Sequence, residues 1–226
     1  MNPDGKIMRF LDSLGDLFLL NIMFLVCCIP VFTIGAATTA LYYNTLKMAE
    51  NRAGYVYKDF LKSFKQNFKQ ATIIWMILLL LGAVLVADML LASGFGDAMG
   101  SVIALTALVI GVFLIITGIY VFPLLARFDN TVFKSMKNAL IIAVRHLPST
   151  IAIVAIHSLP FLVAFVSLEM LIKGLPVILL FVASILAYFE SKLFTRVFSN
   201  YYPKETVYEY AKHSKGGMMR WRRMQR

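Results

Sequence analysis

The sequence predicts an all-α protein, a polytopic helical bundle in a membrane with about six transmembrane helices and two cytoplasmic amphipathic interface helices. Of the 226 residues, 60% are hydrophobic and only 15% are charged, whereas soluble domains contain roughly 45–50% apolar and about 25% charged residues. The apolar residues form long runs, and the charged residues collect between them. A soluble fold has no interior large enough for this apolar surface, so lipid is the expected solvent for most of the chain.

Six apolar segments are expected to be membrane helices, each separated from the next by a turn or a charged connector. The first is extended by the amphipathic turns before it and ends at Pro30, because proline removes a backbone donor and disfavours helix at the preceding residue. An alternative with five spans fuses the first two segments and places the N-terminus outside. The expected segments are 17–29, 34–48, 71–92, 101–126, 149–170 and 175–198.

The second segment is short and rich in small residues. Gly35 with Thr39, and Ala36 with Ala40, are pairs four residues apart that let membrane helices approach closely. The threonine hydroxyls can bond to carbonyls of their own helix. We therefore expect this segment to be packed against protein rather than lipid.

Two basic amphipathic helices are predicted, at 57–70 and 130–146. In the first, aromatic residues share one narrow arc and lysines the opposite arc, a pattern typical of a helix lying in the membrane interface. The second repeats the design, with Val132, Phe133, Met136 and Leu140 on one side. The residues proposed for docking on a partner or on lipid are Lys58, Lys62, Lys65, Lys69, Phe60, Phe64, Phe68, Arg127, Lys134, Lys137 and Arg145.

The two basic helices also resemble each other in sequence. Residues 60–65 read FLKSFK, and residues 132–137 read VFKSMK. Both hexamers precede an apolar segment, so the pattern suggests a weak internal repeat. The alternative interpretation is that each basic helix is an ordinary connector whose charged face is solvated.

The distribution of lysine and arginine predicts the topology. The 93–101 loop has neither residue, while the 47–69 region, the 127–148 region and the tail are rich in them. Positively charged loops favour the cytoplasmic side, so both termini are predicted to be cytoplasmic. We expect a single transmembrane domain over residues 1–203 and a basic cytoplasmic tail over residues 204–226.

A few polar residues lie inside the apolar segments, where they are costly and often functional. His157 is expected to bond to a neighbouring helix, and Glu190 to pair with a base across the bundle such as Arg127 or Arg145. Interhelical hydrogen bonding of this kind is common in membrane bundles. The intramembrane polar candidates are Asn21, Asp88, His157, Glu169 and Glu190.

No catalytic, cofactor or metal signature is present in the sequence. The nucleotide-binding P-loop, the HExxH zinc motif, the paired CxxC motif and the GxSxG nucleophile motif are all missing. Cys27 and Cys28 are adjacent in an apolar run, which suits packing better than ligation. A non-enzymatic protein without cofactor or metal is therefore expected, and its basic tail favours lipid headgroups over nucleic acid.

Several sequence blocks resemble the YesL family of small bacterial integral membrane proteins. The first block includes Pro30 and the run TIGAATTALY at 33–42, followed by GYV at 54–56 and SFKQNFKQ at 63–70. The second block includes FPLLARFDN at 122–130 and RHLP at 145–148. These blocks cover most of residues 14–150, and the later segments match only in hydropathy.

The resemblance implies a location in the bacterial plasma membrane and a link to sugar import. The family has no established biochemical function, and its genes often lie near carbohydrate-uptake ABC transporters. The leading hypothesis is an accessory protein that contacts the lipid bilayer and the permease subunits of a carbohydrate ABC importer. A small solute transporter or channel is the alternative.

Overall fold

A computed structural model describes residues 6–52, 54–92, 94, 97–166 and 182–201. The predicted tail at 204–226, the turn at 171–174 and Glu169 lie outside these residues. All of the regular structure in the described ranges is helical. The α-helices are α1 (Lys6–Cys28), α2 (Ile34–Ala49), α3 (Val56–Ala92), α4 (Asp97–Leu125), α5 (Val132–Arg145), α6 (Leu147–Val166) and α7 (Ala183–Phe198).

The break after the first apolar run lies where proline predicts it. Helix α1 ends at Cys28, Pro30 has extended backbone angles, and a 3-10 turn over Val31–Thr33 leads into α2. The Thr33 hydroxyl donates to the Pro30 carbonyl at 2.6 Å and so supports the turn. The expectation that the first two segments are separate helices is confirmed.

Helix α2 is the most enclosed helix of the described structure, as its small residues predict. Gly35 lies so close to α3 that a Cβ atom built on it would be 2.5 Å from the Ala71 carbonyl oxygen and 2.7 Å from Trp75 Cβ. The Thr39 hydroxyl donates to the Gly35 carbonyl at 2.9 Å, which satisfies the buried hydroxyl within its own helix. The fully or nearly fully buried face includes Gly35, Ala36, Ala37, Thr39, Ala40, Leu41, Tyr42, Asn44, Thr45, Leu46 and Met48.

Helices α2 and α3 run antiparallel. The start of α2 contacts Ala71 and Trp75, and near its end Lys47 forms an ion pair with Asp59 at 2.6 Å. Helix α2 therefore lies beside the lysine-bearing first half of α3, and not beside its apolar second half.

One prediction is wrong: the segment 57–70 is not a separate interface helix. It is the first half of α3, which continues without a break for 37 residues, or about 55 Å at 1.5 Å per residue. Phe60 is fully buried and Phe64 is half-buried against the protein core. The apolar face of this segment is thus covered by protein rather than by lipid.

Three helices of the described residues are long and apolar enough to cross a membrane, namely α1, α3 and α4. The count becomes four if α5 and α6, which bend by 105° at their junction, form one broken span. Helix α2 has 16 residues, about 24 Å, which is shorter than the roughly 30 Å hydrocarbon core. The regular structure of the described residues is therefore helical and suited to a membrane, with fewer qualifying spans than the six predicted. Residues 167–170 and 175–181 of the last two predicted segments lie outside the described residues.

The second amphipathic helix is a separate element, α5, and on its predicted apolar side Val132 and Met136 are partly buried against the core. Ser135, Ala139, Ile142 and Ala143 are buried, whereas Phe133 is 81% exposed. Small residues form the contact face because α5 packs closely on α3 and α4.

Candidate functional site: a buried polar cluster and a lysine-bearing surface

Glu190 on α7 is the one charged residue among those described that is completely buried. Its helix packs against α2 and α6, and these neighbours exclude water from the carboxylate. A buried carboxylate is very costly unless hydrogen bonds or an opposite charge compensate it. The groups that contact Glu190 therefore define the most constrained polar site of the molecule.

Two side chains from two other helices contact the Glu190 carboxylate. The Tyr42 hydroxyl of α2 donates a hydrogen bond to Oε2, and Nδ1 of His157 on α6 lies 3.1 Å from Oε1. We name these three residues the Tyr–Glu–His cluster. The expectation that His157 bonds to a neighbouring helix is confirmed, and the cluster ties α2, α6 and α7 together.

The partners expected for Glu190 are wrong. Arg127 instead binds Glu50 at the end of α2, with Nη2 at 2.7 Å from Oε1 and 3.0 Å from Oε2. Arg145 is exposed at the end of α5. The Glu190 carboxylate is compensated by hydroxyl and imidazole groups within the bundle rather than by either arginine.

Further polar contacts join the same helices on either side of the cluster. The Thr45 and Ser191 hydroxyls lie 2.8 Å apart between α2 and α7. The Asn21 side-chain oxygen of α1 accepts from the Ser184 backbone N–H at 3.0 Å. These neutral bonds fix the register of α7 against α1 and α2, so the Glu190 carboxylate is held in place.

His157 connects the buried carboxylate to the outside of the described bundle. Its side chain is 49% exposed while that of Glu190 is 1% exposed. A tyrosine hydroxyl, a carboxylate and an imidazole can each give or take a proton, so the cluster has the chemistry to hold a proton at a helix junction. No group of three potential metal ligands occurs among the described residues.

The remaining intramembrane candidates do not join this site. Asp88 is half-buried one turn before the end of α3, far along the helix from the segment that contacts α2. Asn21 is buried and serves as an acceptor for a backbone group. Cys27 and Cys28 are free thiols and half-buried.

The second candidate site is a lysine-bearing surface formed by α3 and α5. All four predicted lysines of α3 are exposed, and so are Lys134, Lys137 and Arg145. Phe68 is also exposed, at 37%. Phe60 does not belong to this surface because it is buried. Arg127 forms an ion pair with Glu50 of the same chain, so its charge is already compensated within the protein.

The two similar hexamers have the same pattern of burial. Ser63 and Ser135 occupy the same position and are both fully buried. The residues two positions before the hexamer serine, Leu61 and Phe133, are both exposed. The lysines on either side of each serine are also exposed, namely Lys62, Lys65, Lys134 and Lys137.

Sequence reasoning missed Tyr42 and Glu50 as functional partners. Tyr42 and Thr45 are three residues apart and so lie on one face of α2, which was a usable signal for a polar contact. Glu50 gave no such signal, because its partner Arg127 is distant in the chain. Only the fold brings the end of α2 to the segment after α4.

Comparison with known proteins gives one partial match. Residues 17–89, about a third of the chain, match a family described as "Protein of unknown function, DUF624". No curated protein and no solved structure matches the chain. The matched region covers the second half of α1, all of α2 and all but the last three residues of α3, and it includes Tyr42 but neither Glu190 nor His157.

Proposed function

We propose that the chain is a non-enzymatic accessory membrane protein that docks on a partner membrane protein through the lysine-bearing surface of α3 and α5. The observation that carries this proposal is the shared burial pattern of the two hexamers. Both bury a serine and present an exposed apolar side chain next to two exposed lysines. An exposed aromatic residue surrounded by charged residues has the composition of an interface anchor with a polar rim.

The rigidity of this surface supports the proposal. The lysine-bearing half of α3 packs on α2 and is fixed by the ion pair between Lys47 and Asp59. Helix α5 contacts α3 and α4. Lysines held on a fixed scaffold lose less freedom on binding than lysines on a loose connector, which favours association.

The resemblance to the YesL family suggests the partner. Genes of that family often lie near carbohydrate-uptake ABC transporters, so the permease subunits of a carbohydrate ABC importer are the proposed partners. Binding to the cytoplasmic side of such an importer would use the charged surface while the apolar second half of α3 and α4 remain in the bilayer.

The docking proposal predicts a selective loss of partner binding. Replacing Phe133 by Ala together with Lys134 by Gln is expected to lower the recovery of permease subunits with the tagged protein at least about tenfold, because interface anchors contribute most of the binding energy. The measurement is affinity purification at native expression, followed by quantitative mass spectrometry.

A matched control is available on α7. Phe189 is exposed beside Lys192, whose Nζ lies 5.4 Å from the Phe189 ring centroid. Phe189→Ala with Lys192→Gln removes the same groups and is expected to leave the recovery of permease subunits unchanged. Failure of the unaltered protein to recover any permease subunit would overturn the proposal.

We further propose that this surface and both termini face the cytoplasm of a bacterial plasma membrane. The Trp75 indole N–H donates to the Val31 carbonyl at 2.8 Å, so the turn at Val31 lies at the level of Trp75, near the start of the apolar half of α3, and not at the far membrane face as the six-segment topology requires. A cysteine at position 2 is expected to react with a membrane-impermeant maleimide in inside-out vesicles and not in intact cells. Labelling in intact cells would contradict the topology.

A small solute transporter or channel is the second candidate, favoured by the Tyr–Glu–His cluster. A fully buried carboxylate with a half-exposed histidine partner is an expensive arrangement in a membrane protein, and such groups often mark a transport pathway. The two candidates differ in reconstituted liposomes. A transporter would move solute with this chain alone, whereas an accessory subunit would be inert there.

A further inference from the structure

An apolar groove lies between α3 and α4 in the membrane-spanning part of the helix pair. Its volume is about 520 Å³, and Trp75, Gly82 and Val86 line one wall while Leu114 and Gly118 line the other. The groove exists because glycine at two positions leaves space that larger side chains would fill. Val86 and nearby Ile115 are more than half exposed, so the groove is open to the surroundings of the helix pair.

The position of the groove matches one leaflet of a bilayer. From Trp75 to Val86 the groove extends over 11 residues of α3, about 16 Å at 1.5 Å per residue. Half of the roughly 30 Å hydrocarbon core is about 15 Å. Trp75 lies at the end nearest the lysines, as expected for an aromatic residue at the membrane interface.

The size of the groove selects its occupant. An open groove of this volume surrounds a narrow chain more completely than a helix about 10 Å in diameter. Water is not a suitable occupant, because the lining side chains offer it no set of polar partners. A single hydrocarbon chain is narrow, apolar and abundant at this depth.

Charge complementarity indicates the headgroup. Lys69 is exposed six residues before Trp75, about 9 Å along the helix axis. Lys65, also exposed, precedes the groove residue Ala83 by 18 residues, which is five full turns, so both residues lie on one line of the helix surface. Lys69 near the interface end of the groove, with Lys65 one turn further from it, favours a phosphate-bearing, negatively charged headgroup.

We propose that the α3–α4 groove binds one acyl chain of an anionic phospholipid whose headgroup contacts Lys65 and Lys69. The site shares Lys65 and Lys69 with the lysine-bearing surface, but neither Phe133 nor Lys134 takes part in it. The docking test alters Phe133 and Lys134 and the groove test alters glycines of α3 and α4, so each proposal can fail without the other.

The test uses the fluorescence of Trp75. The chain contains two tryptophans, so Trp221→Phe leaves Trp75 as the only reporter. The full-length protein is reconstituted with increasing amounts of a phospholipid brominated on its acyl chains, which quenches a tryptophan that it contacts. We expect half-maximal quenching at roughly fivefold lower mole fraction for brominated phosphatidylglycerol than for brominated phosphatidylcholine, since the lysines attract the anionic headgroup.

Two sets of variants separate the parts of the proposal. Gly82→Leu fills the groove and is expected to reduce quenching by both lipids, with Gly118→Leu as a second variant on the opposite wall. Gly111→Leu is the matched control outside the groove, since added Cβ atoms at Gly82 and Gly111 meet their nearest neighbours at 3.8 and 3.9 Å respectively. Lys65→Gln with Lys69→Gln is expected to abolish the headgroup preference, whereas Lys134→Gln with Lys137→Gln removes equal charge elsewhere and should preserve it.

Three results would overturn the site. Equal quenching in the Gly82→Leu and Gly111→Leu variants, each eluting as a single folded species, would show that no acyl chain occupies the groove. Half-maximal quenching at equal mole fractions of the two brominated lipids in the unaltered protein would exclude a preference for the anionic headgroup. If neither brominated lipid quenches the fluorescence of Trp75, another helix covers the groove.

Discussion

Replacing Tyr42 by Phe is expected to lower the free energy of unfolding by about 2–3 kcal/mol, the upper range for a hydrogen bond to a charged group. The substitution removes only the hydroxyl that donates to Glu190. The fully buried carboxylate then keeps one described side-chain partner, His157, at 3.1 Å. Unfolding of the purified protein in mixed detergent micelles, followed by circular dichroism during SDS titration, measures the change.

Tyr43→Phe is the matched control on the same helix. The described contact of Tyr43 is with Lys47, whose Nζ lies 5.1 Å from the ring centroid. Phenylalanine keeps that ring, so the change in stability is expected to be within about 0.5 kcal/mol. Equal effects of the two substitutions would show that the Tyr42 hydroxyl does not stabilise the buried carboxylate.

The charge of Glu190 can be tested by combining substitutions. In a Glu190→Gln background the side chain is neutral, and a neutral hydrogen bond contributes only about 0.5–1.5 kcal/mol. Tyr42→Phe should therefore cost less in that background than in the unaltered protein. The difference between the two costs is the coupling energy of the pair, and a coupling near zero would argue against a charged carboxylate at this position.

The amount of structure predictable from the sequence differs between the fold and the site. Proline geometry fixes the α1–α2 break, and small residues fix the close packing of α2, because both follow from local sterics. The continuity of α3 was predictable as well: no glycine or proline occurs from Val56 to Leu81. The change from charged to apolar residues at Ala71 suggested a boundary, but a change of surrounding solvent does not interrupt a helix.

The site required information that the sequence does not contain. Glu190 and Tyr42 are separated by 148 residues, and the pairing of Glu190 with a hydroxyl rather than an arginine depends on which helices meet. The buried residues of α5 depended on the fold for a related reason. Hydropathy grouped Phe133 with the other apolar residues of α5, whereas close packing on neighbouring helices placed Ser135 and Ala139 inside and left Phe133 exposed.

Replacing Gly35 by Ala is expected to destabilise the protein by about 3 kcal/mol, at the upper end of the usual cost of overpacking. The added Cβ atom would lie 2.5 Å from the Ala71 carbonyl oxygen, 2.7 Å from Trp75 Cβ and 3.0 Å from a ring carbon of Phe122. The first two contacts involve the backbone of α3 and an atom next to it. Neither can rotate away, so α2 must move away from α3.

The sign of the effect makes this prediction decisive. In a helix interior alanine is intrinsically more favourable than glycine by about 1 kcal/mol. Gly35→Ala therefore destabilises the protein only if the cost of steric overlap exceeds this gain. Gly15→Ala in α1 is the control, because a Cβ atom there meets nothing within 4 Å and the propensity gain should appear as slight stabilisation. The same SDS titration measures both variants. Stabilisation by both substitutions would show that α2 and α3 are not in close contact at Gly35. Opposite signs would establish the close contact between α2 and α3 that supports the lysine-bearing half of α3.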